Sequence, residues 1–339
     1  MRLQGWRRAI LLGALLIGAL CWMTAKNALL FAETHAKADV QNWPTKPIHA
    51  VVPFTPGSAA DIVPRTVFEP LSHELGQSII VENRAGAGGT IGAGIVARAD
   101  PGGYSILVNS SAHTIIPALY SHMPYDTVRD FTGVIPLGSL PNVLVVAPSK
   151  GFKTLGDLVA AAKAKPGTIT YASAGVGSAT HFAAERLRLS AGFEGVHVPF
   201  RGSPEAATEV MTGRVDFFYG PLPAVLPFIQ DGKLQPLAVS TPKRAAALAD
   251  VPTSTEAGFA NSDYTFWIAI FAPAQTPGPI VQKLHESVRR TMEITSLQEK
   301  LAQLGVDPMN MEAVDLDALV KAEIAVNKTV VDAAHIKVE

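Results

Sequence analysis

Ser58, Ser111 and Ser178 each stand where an apolar run gives way to a small-residue loop, and His113 and His181 follow the last two within three residues. A serine hydroxyl beside an imidazole is the raw material of nucleophilic catalysis, in which the histidine takes the hydroxyl proton. None of the three serines lies in G-x-S-x-G, and no local signature ties a serine, a histidine and an acid together. His181 and Glu185 share a helix face at i, i+4, a spacing that two metal ligands can use. No third ligand lies within sequence reach, so a capping or core-edge histidine is the better reading. His113 has a similarly plain role as a loop histidine bonded to backbone. Gly92-Ala93-Gly94-Ile95-Val96-Ala97 matches G-x-G-x-x-A, but its glycines fall inside a predicted helix and no acidic residue ends the next strand. Close helix–sheet packing accounts for them better than a nucleotide does.

Anion binding suits the same positions better. Phe54-Thr55-Pro56-Gly57-Ser58-Ala59-Ala60-Asp61, the loop 173–180 and the loop 200–204 are all small, polar and glycine-bearing, and each leads into a predicted helix start. Such a start aims unpaired N–H groups and a positive dipole end at one spot. A single loop of this kind is an ordinary β–α connection. Two lobes presenting such loops to each other form a cleft lined by neutral donors, which suits a small carboxylate held by backbone N–H, hydroxyls and bridging water. The expected contacts are Phe54, Pro56, Gly57, Ser58 and Asp61 from the first loop, with Ser111 and His113 beside it. Ala174, Gly175, Ser178, Thr180 and His181 come from the second loop, Arg201 from the third as a partner for a second carboxylate, and Tyr219 from a strand end. Phe54, Phe200, Tyr219 and Trp267 can wall the cleft against water.

The elements that must position these loops are legible from periodicity. Ile48–Pro53, Ser78–Glu82 and Tyr104–Val108 read as strands, alternating with helices over Asp61–Leu75 and Ile91–Ala99. This alternation predicts parallel βαβ units, with ligands beyond the carboxyl ends of the strands. The apolar strands Val143–Ala147 and Thr265–Phe271 bracket a second βα block. The chain therefore reads as an α/β protein with a discontinuous first lobe, 39–145 and 264–339, and an inserted second lobe, 146–263. Two crossings between lobes make a hinge.

The 339-residue chain is 48% hydrophobic and 17% charged, which describes a folded protein with a large core. Arg2, Arg7 and Arg8, the apolar run Ala9–Met23 and Ala36-Lys37-Ala38 have the layout of a secretory signal peptide over residues 1–38. An uncleaved anchor is the alternative, although Lys26 and Asn27 interrupt the apolar stretch. Cys21 is the only cysteine, so a cleaved chain carries none, and disulfides and thiolate chemistry are excluded. Removing residues 1–38 takes away five Lys/Arg and one Glu and leaves a net charge of −5. With no Lys/Arg cluster, nucleic acid is not an expected partner.

Trp43-Pro-x-Lys-Pro-Ile48, Val52-Pro-Phe-x-Pro-Gly57 with Asp61 and Arg65, Val81-Glu-Asn-Arg-Ala-Gly-Ala-Gly-Gly-Thr90 and His197-Val-Pro-Phe-Arg-Gly202 stand in order along the chain. In this series the sequence resembles the Bug-type periplasmic receptors of tripartite tricarboxylate transporters, over roughly residues 43 to 339. The resemblance implies a periplasmic-binding-protein fold of type II, two α/β lobes joined by a two-strand hinge around a ligand cleft. It also implies a small carboxylate ligand (a di- or tricarboxylate, an acidic amino acid or an aromatic acid), the permease subunits of such a transporter as partners, a periplasmic location and a monomeric, non-enzymatic receptor without cofactor. Ser58 departs from the pattern, which has a second glycine there. Asn327-Lys328-Thr329 and Ala334-His335 replace a tryptophan and an Ala-Gly pair. Two alternatives remain open: an exported α/β serine hydrolase using Ser58 or Ser178, and an orphan receptor that feeds a signalling partner.

Overall fold

The computed structural model describes residues 42–120 and 122–336, and the proposed leader lies outside the described residues. Everything below concerns the compact unit that begins at Lys46. Its ten strands form two five-stranded sheets. The first holds β1 (Ile48–Val52), β2 (Ile79–Asn83), β3 (Ser105–Ser110), β4 (Phe131–Leu140) and β10 (Phe266–Pro273), in the order β2-β1-β3-β10-β4. The second holds β5 (Asn142–Val146), β6 (Ile169–Ser173), β7 (Gly195–Pro199), β8 (Phe217–Pro221) and β9 (Gln235–Val239), in the order β7-β6-β8-β5-β9. The two orders are the same arrangement repeated, and together they are the two lobes of a type II periplasmic-binding-protein fold.

The parallel expectation holds for β1 with β2 and β3, and for β6 with β7 and β8. It fails for β10, antiparallel to β3 and β4, and for β5, antiparallel to β8 and β9. Each of these strands arrives from the other lobe instead of through a helix on its own sheet, so no right-handed crossover dictates its direction. Both lie inside their sheets and are covered on both faces, which is why they read as unbroken apolar runs.

Helices α1 (Ala59–Leu75), α2 (Thr90–Ala97), α3 (Ala112–Leu119), α8 (Gly278–Met292), α9 (Thr295–Gln303) and α10 (Ala313–Ala334) accompany the first sheet. Ala93 and Val96 of α2 and Leu316 and Val320 of α10 bury Val51, Leu107, Ala269 and Phe271. Helices α4 (Leu155–Ala164), α5 (Ala179–Ala191), α6 (Ser203–Met211) and α7 (Leu222–Gln230) accompany the second. There Ala206, Ala207 and Val210 of α6 and Leu222 and Val225 of α7 bury Val143, Val145 and Phe218. α4 begins in a reciprocal capping box between Thr154 and Asp157.

Two details correct the sequence reading. The strand over 142–146 pairs wholly within the second sheet, so the chain crosses at Pro141 and not between 145 and 146. The return crossing is laced to it: Ser240 N–H donates to Asn142 O (2.8 Å), Asn142 N–H to Ser240 Oγ (3.1 Å) and Tyr264 N–H to Ser240 O (2.7 Å). His113, expected in a loop, lies in the first turn of α3, a helix whose Ala112, Ile115 and Ile116 are buried at i, i+3, i+4 despite Pro117.

Candidate functional site

The first wall of the cleft is the loop from β1 to α1. Asp61, buried in the first turn of α1, accepts from Gly57 N–H (2.9 Å), Arg65 Nε (2.8 Å) and Asn83 Nδ2 (2.9 Å), and Asn83 Nδ2 also donates to Phe54 O (3.0 Å). Its oxygens are therefore committed to shaping the loop, and Asp61 positions the wall without lining the cavity. Asp61 N–H and Ile62 N–H bond Ser58 O. As at any helix start, this leaves Ala59 N–H and Ala60 N–H without carbonyl partners.

The second wall repeats the device. Ser178 caps α5, its Oγ accepting from His181 N–H (3.3 Å) and donating to Gly175 O (2.7 Å), and Thr180 Oγ1 accepts from Ala174 N–H (2.9 Å). Phe182 N–H bonds Ser178 O, so Ala179 and Thr180 N–H are left without carbonyl partners. The loop is held from behind by a buried polar cluster. His181 Nδ1 accepts from Gly177 N–H (3.3 Å), His197 Nε2 bonds Ser173 Oγ (2.6 Å), and the two imidazoles stack with centroids 3.8 Å apart. Glu185 takes the Tyr171 hydroxyl and Arg188 Nε (2.8 Å), with His181 Nε2 3.6 Å away. Burial pushes the Glu185 carboxyl up, but bonds from His181, Arg188 and Tyr171 outweigh it and hold the carboxyl at about 2.

The buried histidines set an acid limit on stability. Burial, reinforced by neighbouring His181, pulls His197 down to about 3, and burial alone pulls His113 to about 3. Both imidazoles stay neutral when folded but bind a proton in the unfolded chain below pH ~6.5. The unfolded state then binds more protons, so stability falls as pH drops from ~6.5 towards 3, by on the order of 2–3 kcal/mol per histidine at pH 4. Glu185, whose carboxyl is depressed, adds its own loss below pH ~4.5. Thermal melts from pH 8 to 4 should be flat above pH 7 and decline from about pH 6. His197→Gln should remove about half of that decline and leave the share of His113, and a variant profile identical to the wild type would show that His197 does not contribute to it.

Between the walls lies a cavity of about 20 Å³, room for about one water, lined by Phe54, Ser58, Ala59, Ala60, Ser110, Ala174, Ser178, Ala179, Thr180, Ser203, Pro221 and Phe266. No charged side chain lines it. Of the expected contacts the structure brings Phe54, Ser58, Ala174, Ser178 and Thr180 to this cavity. Pro56 and Gly57 form its exposed rim, and the N–H and C=O of Gly175 are spent on Ser173 and Ser178. Ser111 Oγ accepts the Tyr264 hydroxyl (2.7 Å). His113 is packed between Phe131 and Phe271 in the first-lobe core, and His181 lies behind its loop. Arg201 is exposed outside the cavity, where its N–H bonds Glu205, so it does not reach a second carboxylate there. Tyr219 is fully buried in the second lobe, Trp267 donates to Glu323 (3.1 Å) in the first, and Phe200 packs on the second-lobe core. Ala59, Ala60, Ala179, Ser110 and Ser203 were missed because small residues carry no chemical signal of their own. Pro221 and Phe266 were missed because the fold alone places those strand ends here.

Glycines allow the closest approaches between the loops of the two lobes. A Cβ on Gly202 would lie 1.8 Å from Thr55 Oγ1, one on Gly88 2.6 Å from Val176 O, and one on Gly177 2.6 Å from Leu119 Cδ1. Gly92, in the apparent nucleotide fingerprint, packs against the Pro53 backbone, where a Cβ would come within 2.9 Å. A wider groove of about 1000 Å³ runs behind the crossings past Pro141, Thr241, His285 and Glu312. Two of its cations are already paired, Arg244 with Glu256 and Arg289 with Glu293, and the start of α10 that opens into it carries the carboxylates Glu312 and Asp315, which disfavour an anion there. Among the described residues no group of three or more His, Cys, Asp or Glu can hold a metal ion, and no helix is long and apolar enough to cross a membrane.

Two α/β lobes, two crossings and a cavity between opposed helix starts define a two-lobed solute-binding receptor. Residues 63–336 match the model of the tripartite tricarboxylate transporter family receptors, and the chain belongs to that family of periplasmic solute-binding receptors. It is 36% identical over 265 residues to the UPF0065 protein in the tcbD-tcbE intergenic region of Pseudomonas sp. (strain P51), which covers 78% of this chain and 79% of that protein. Among solved structures, R. palustris Rpa4515 with adipate superposes with a TM-score of 0.84 at 34% identity, covering 87% of this chain and 99% of that one. MatC from Rhodopseudomonas palustris with bound malate superposes with a TM-score of 0.81 at 31% identity, covering 85% and 100%.

Proposed function

We propose that this protein is an extracytoplasmic receptor that closes its lobes on one small carboxylate, without transforming it, and presents the closed form to the permease of a tripartite tricarboxylate-type transporter. The observation that carries the reading is that Ala59, Ala60, Ala179 and Thr180, whose N–H groups lack carbonyl partners at two helix starts on two lobes, line one cavity without charged side chains. A carboxylate there meets dipole ends and N–H groups in place of a counter-charge, and the lobes part beyond the present gap of about 20 Å³ to admit the rest of the ligand. Phe54, Ser58, Ala174, Ser178 and Thr180 contact it, and Phe54, Pro221 and Phe266 cover its apolar part. Lobe one runs to Leu140 and resumes near Tyr264, and lobe two runs from Asn142 to about Ser240. The receptor acts as a monomer. The adipate and malate bound by its structural relatives support the ligand class.

A serine hydrolase is disfavoured by the same geometry. Ser178 Oγ is spent on its cap, Ser111 Oγ on Tyr264, and the Ser58 hydroxyl has no histidine partner. A melting screen of the purified protein against adipate, malate, succinate and benzoate tests the reading. A ligand at about 100 times its Kd adds ~2.7 kcal/mol, roughly 5 °C or more in Tm. No shift with any carboxylate, or serine labelling by a fluorophosphonate, would sink it.

A further inference from the structure

We infer that the Ser58 hydroxyl is a ligand-binding group, donating to the carboxylate seated on the start of α1 alongside Ala59 and Ala60 N–H; this rests on the carboxylate reading above. Ser58 and Ser178 occupy equivalent cap positions with nearly the same backbone, φ −72°, ψ 160° and φ −68°, ψ 156°. Their side chains behave differently. Ser178 Oγ closes its cap on His181 N–H, whereas Ser58 makes no side-chain cap bond. Ser58 is 5% exposed, its Oγ has no hydrogen-bond partner at all, and the residue lines the cavity. A serine in cap geometry that leaves its cap unmade holds a donor in reserve, since a buried hydroxyl without a partner is otherwise costly.

The surroundings limit what can satisfy it. Phe54, Ala59, Ala60, Ala174 and Ala179 offer no side-chain hydrogen bond, none of the lining hydroxyls of Ser110, Ser178, Thr180 and Ser203 bonds Ser58 Oγ, and no lysine, arginine or histidine lines the cavity. A carboxylate oxygen at the start of α1 accepts from the Ser58 O–H as well as from the two N–H groups, and a bond to a charged acceptor is among the stronger ones. The equivalent cap of the second lobe has no such reserve, because the Ser178 and Thr180 hydroxyls already bond each other and the loop backbone. The two caps are therefore chemically unequal: the Ser58 hydroxyl is unspent, and the Ser178 hydroxyl is not.

Titration calorimetry with malate and adipate on the wild type and on Ser58→Ala, with melts of both unliganded proteins, tests this. Ser58→Ala should bind both acids about tenfold more weakly. It should not lower the unliganded Tm by more than about 1 °C, since no cap bond is lost. Ser58→Gly should show the same loss of affinity. Unchanged affinity in Ser58→Ala would overturn the inference, most plainly if its unliganded Tm fell by several degrees, the mark of a structural cap. If the wild type bound neither these acids nor any other carboxylate, the receptor reading would fall and this inference with it. Wild-type binding with an unaltered variant would sink the inference alone.

Discussion

Gly202→Ala should weaken malate or adipate binding by roughly ten- to a hundredfold while leaving the unliganded melting temperature within about 2 °C. The added Cβ would sit 1.8 Å from Thr55 Oγ1 and 3.0 Å from Thr55 Cβ, atoms of the opposite lobe. Overpacking of this kind costs about 1–3 kcal/mol, and here the cost falls only on the arrangement in which the loops touch. A ligand that needs that arrangement must overcome the penalty, whereas lobes held apart never meet it. The φ of Gly202 is −177°, ordinary extended backbone, so alanine is not strained for any local reason. Thr55→Gly in the same chain should recover most of the affinity. Calorimetry, with small-angle scattering at saturating malate to show whether the particle contracts, measures both. Wild-type affinity in Gly202→Ala would mean that these loops need not meet around a ligand.

Glu185→Ala should be the most destabilising single change in the second lobe, by about 3–5 kcal/mol, or on the order of 10 °C in Tm. Both carboxylate oxygens are in use, and the substitution strands the buried Tyr171 hydroxyl and removes the counter-charge of Arg188, which is 21% exposed. Arg188 also donates to Ala334 O at the end of α10 (3.1 Å), so the loss extends to that contact. His181, freed from Glu185, holds Gly177 N–H less firmly, and ligand affinity should fall along with stability. Denaturant unfolding followed by calorimetry separates the two effects. A stability change below about 1 kcal/mol would show the cluster to be an ordinary surface pair.

The architecture was largely legible in the amino-acid pattern because strands and helices of this fold are written in burial periodicity. β10 and β5 stood out as unbroken apolar runs, and α5 began where Ser178 stands. The direction of β5 and β10 was not legible, since antiparallel insertion depends on which sheet a strand joins and not on its composition. The site divided in the same way. Phe54, Ser58, Ala174, Ser178 and Thr180 line the cavity between the helix starts, and loops at such starts have recognisable chemistry. His113, Arg201 and Tyr219 lie away from that cavity, and polarity does not reveal orientation: the same residue types serve a core, a rim or a cleft. Asn327, one of the departures from the family pattern, is buried and donates to Thr114 Oγ1 (2.8 Å), which also bonds Glu323, so it belongs to an interior network.

The exchange of strands between sheets bears on how the chain acquires its structure as it emerges from its N-terminus. β4 pairs with no first-sheet strand except β10, which lies more than 120 residues further along the chain. The second sheet needs only the contiguous stretch 142–239. A chain emerging from its N-terminus can thus complete the later lobe while the earlier one still lacks its inner strand, a reversal of the usual order. Until residue 273 has emerged, β3 and β4 each expose an apolar edge that β10 later covers, an opening for mispairing with another chain.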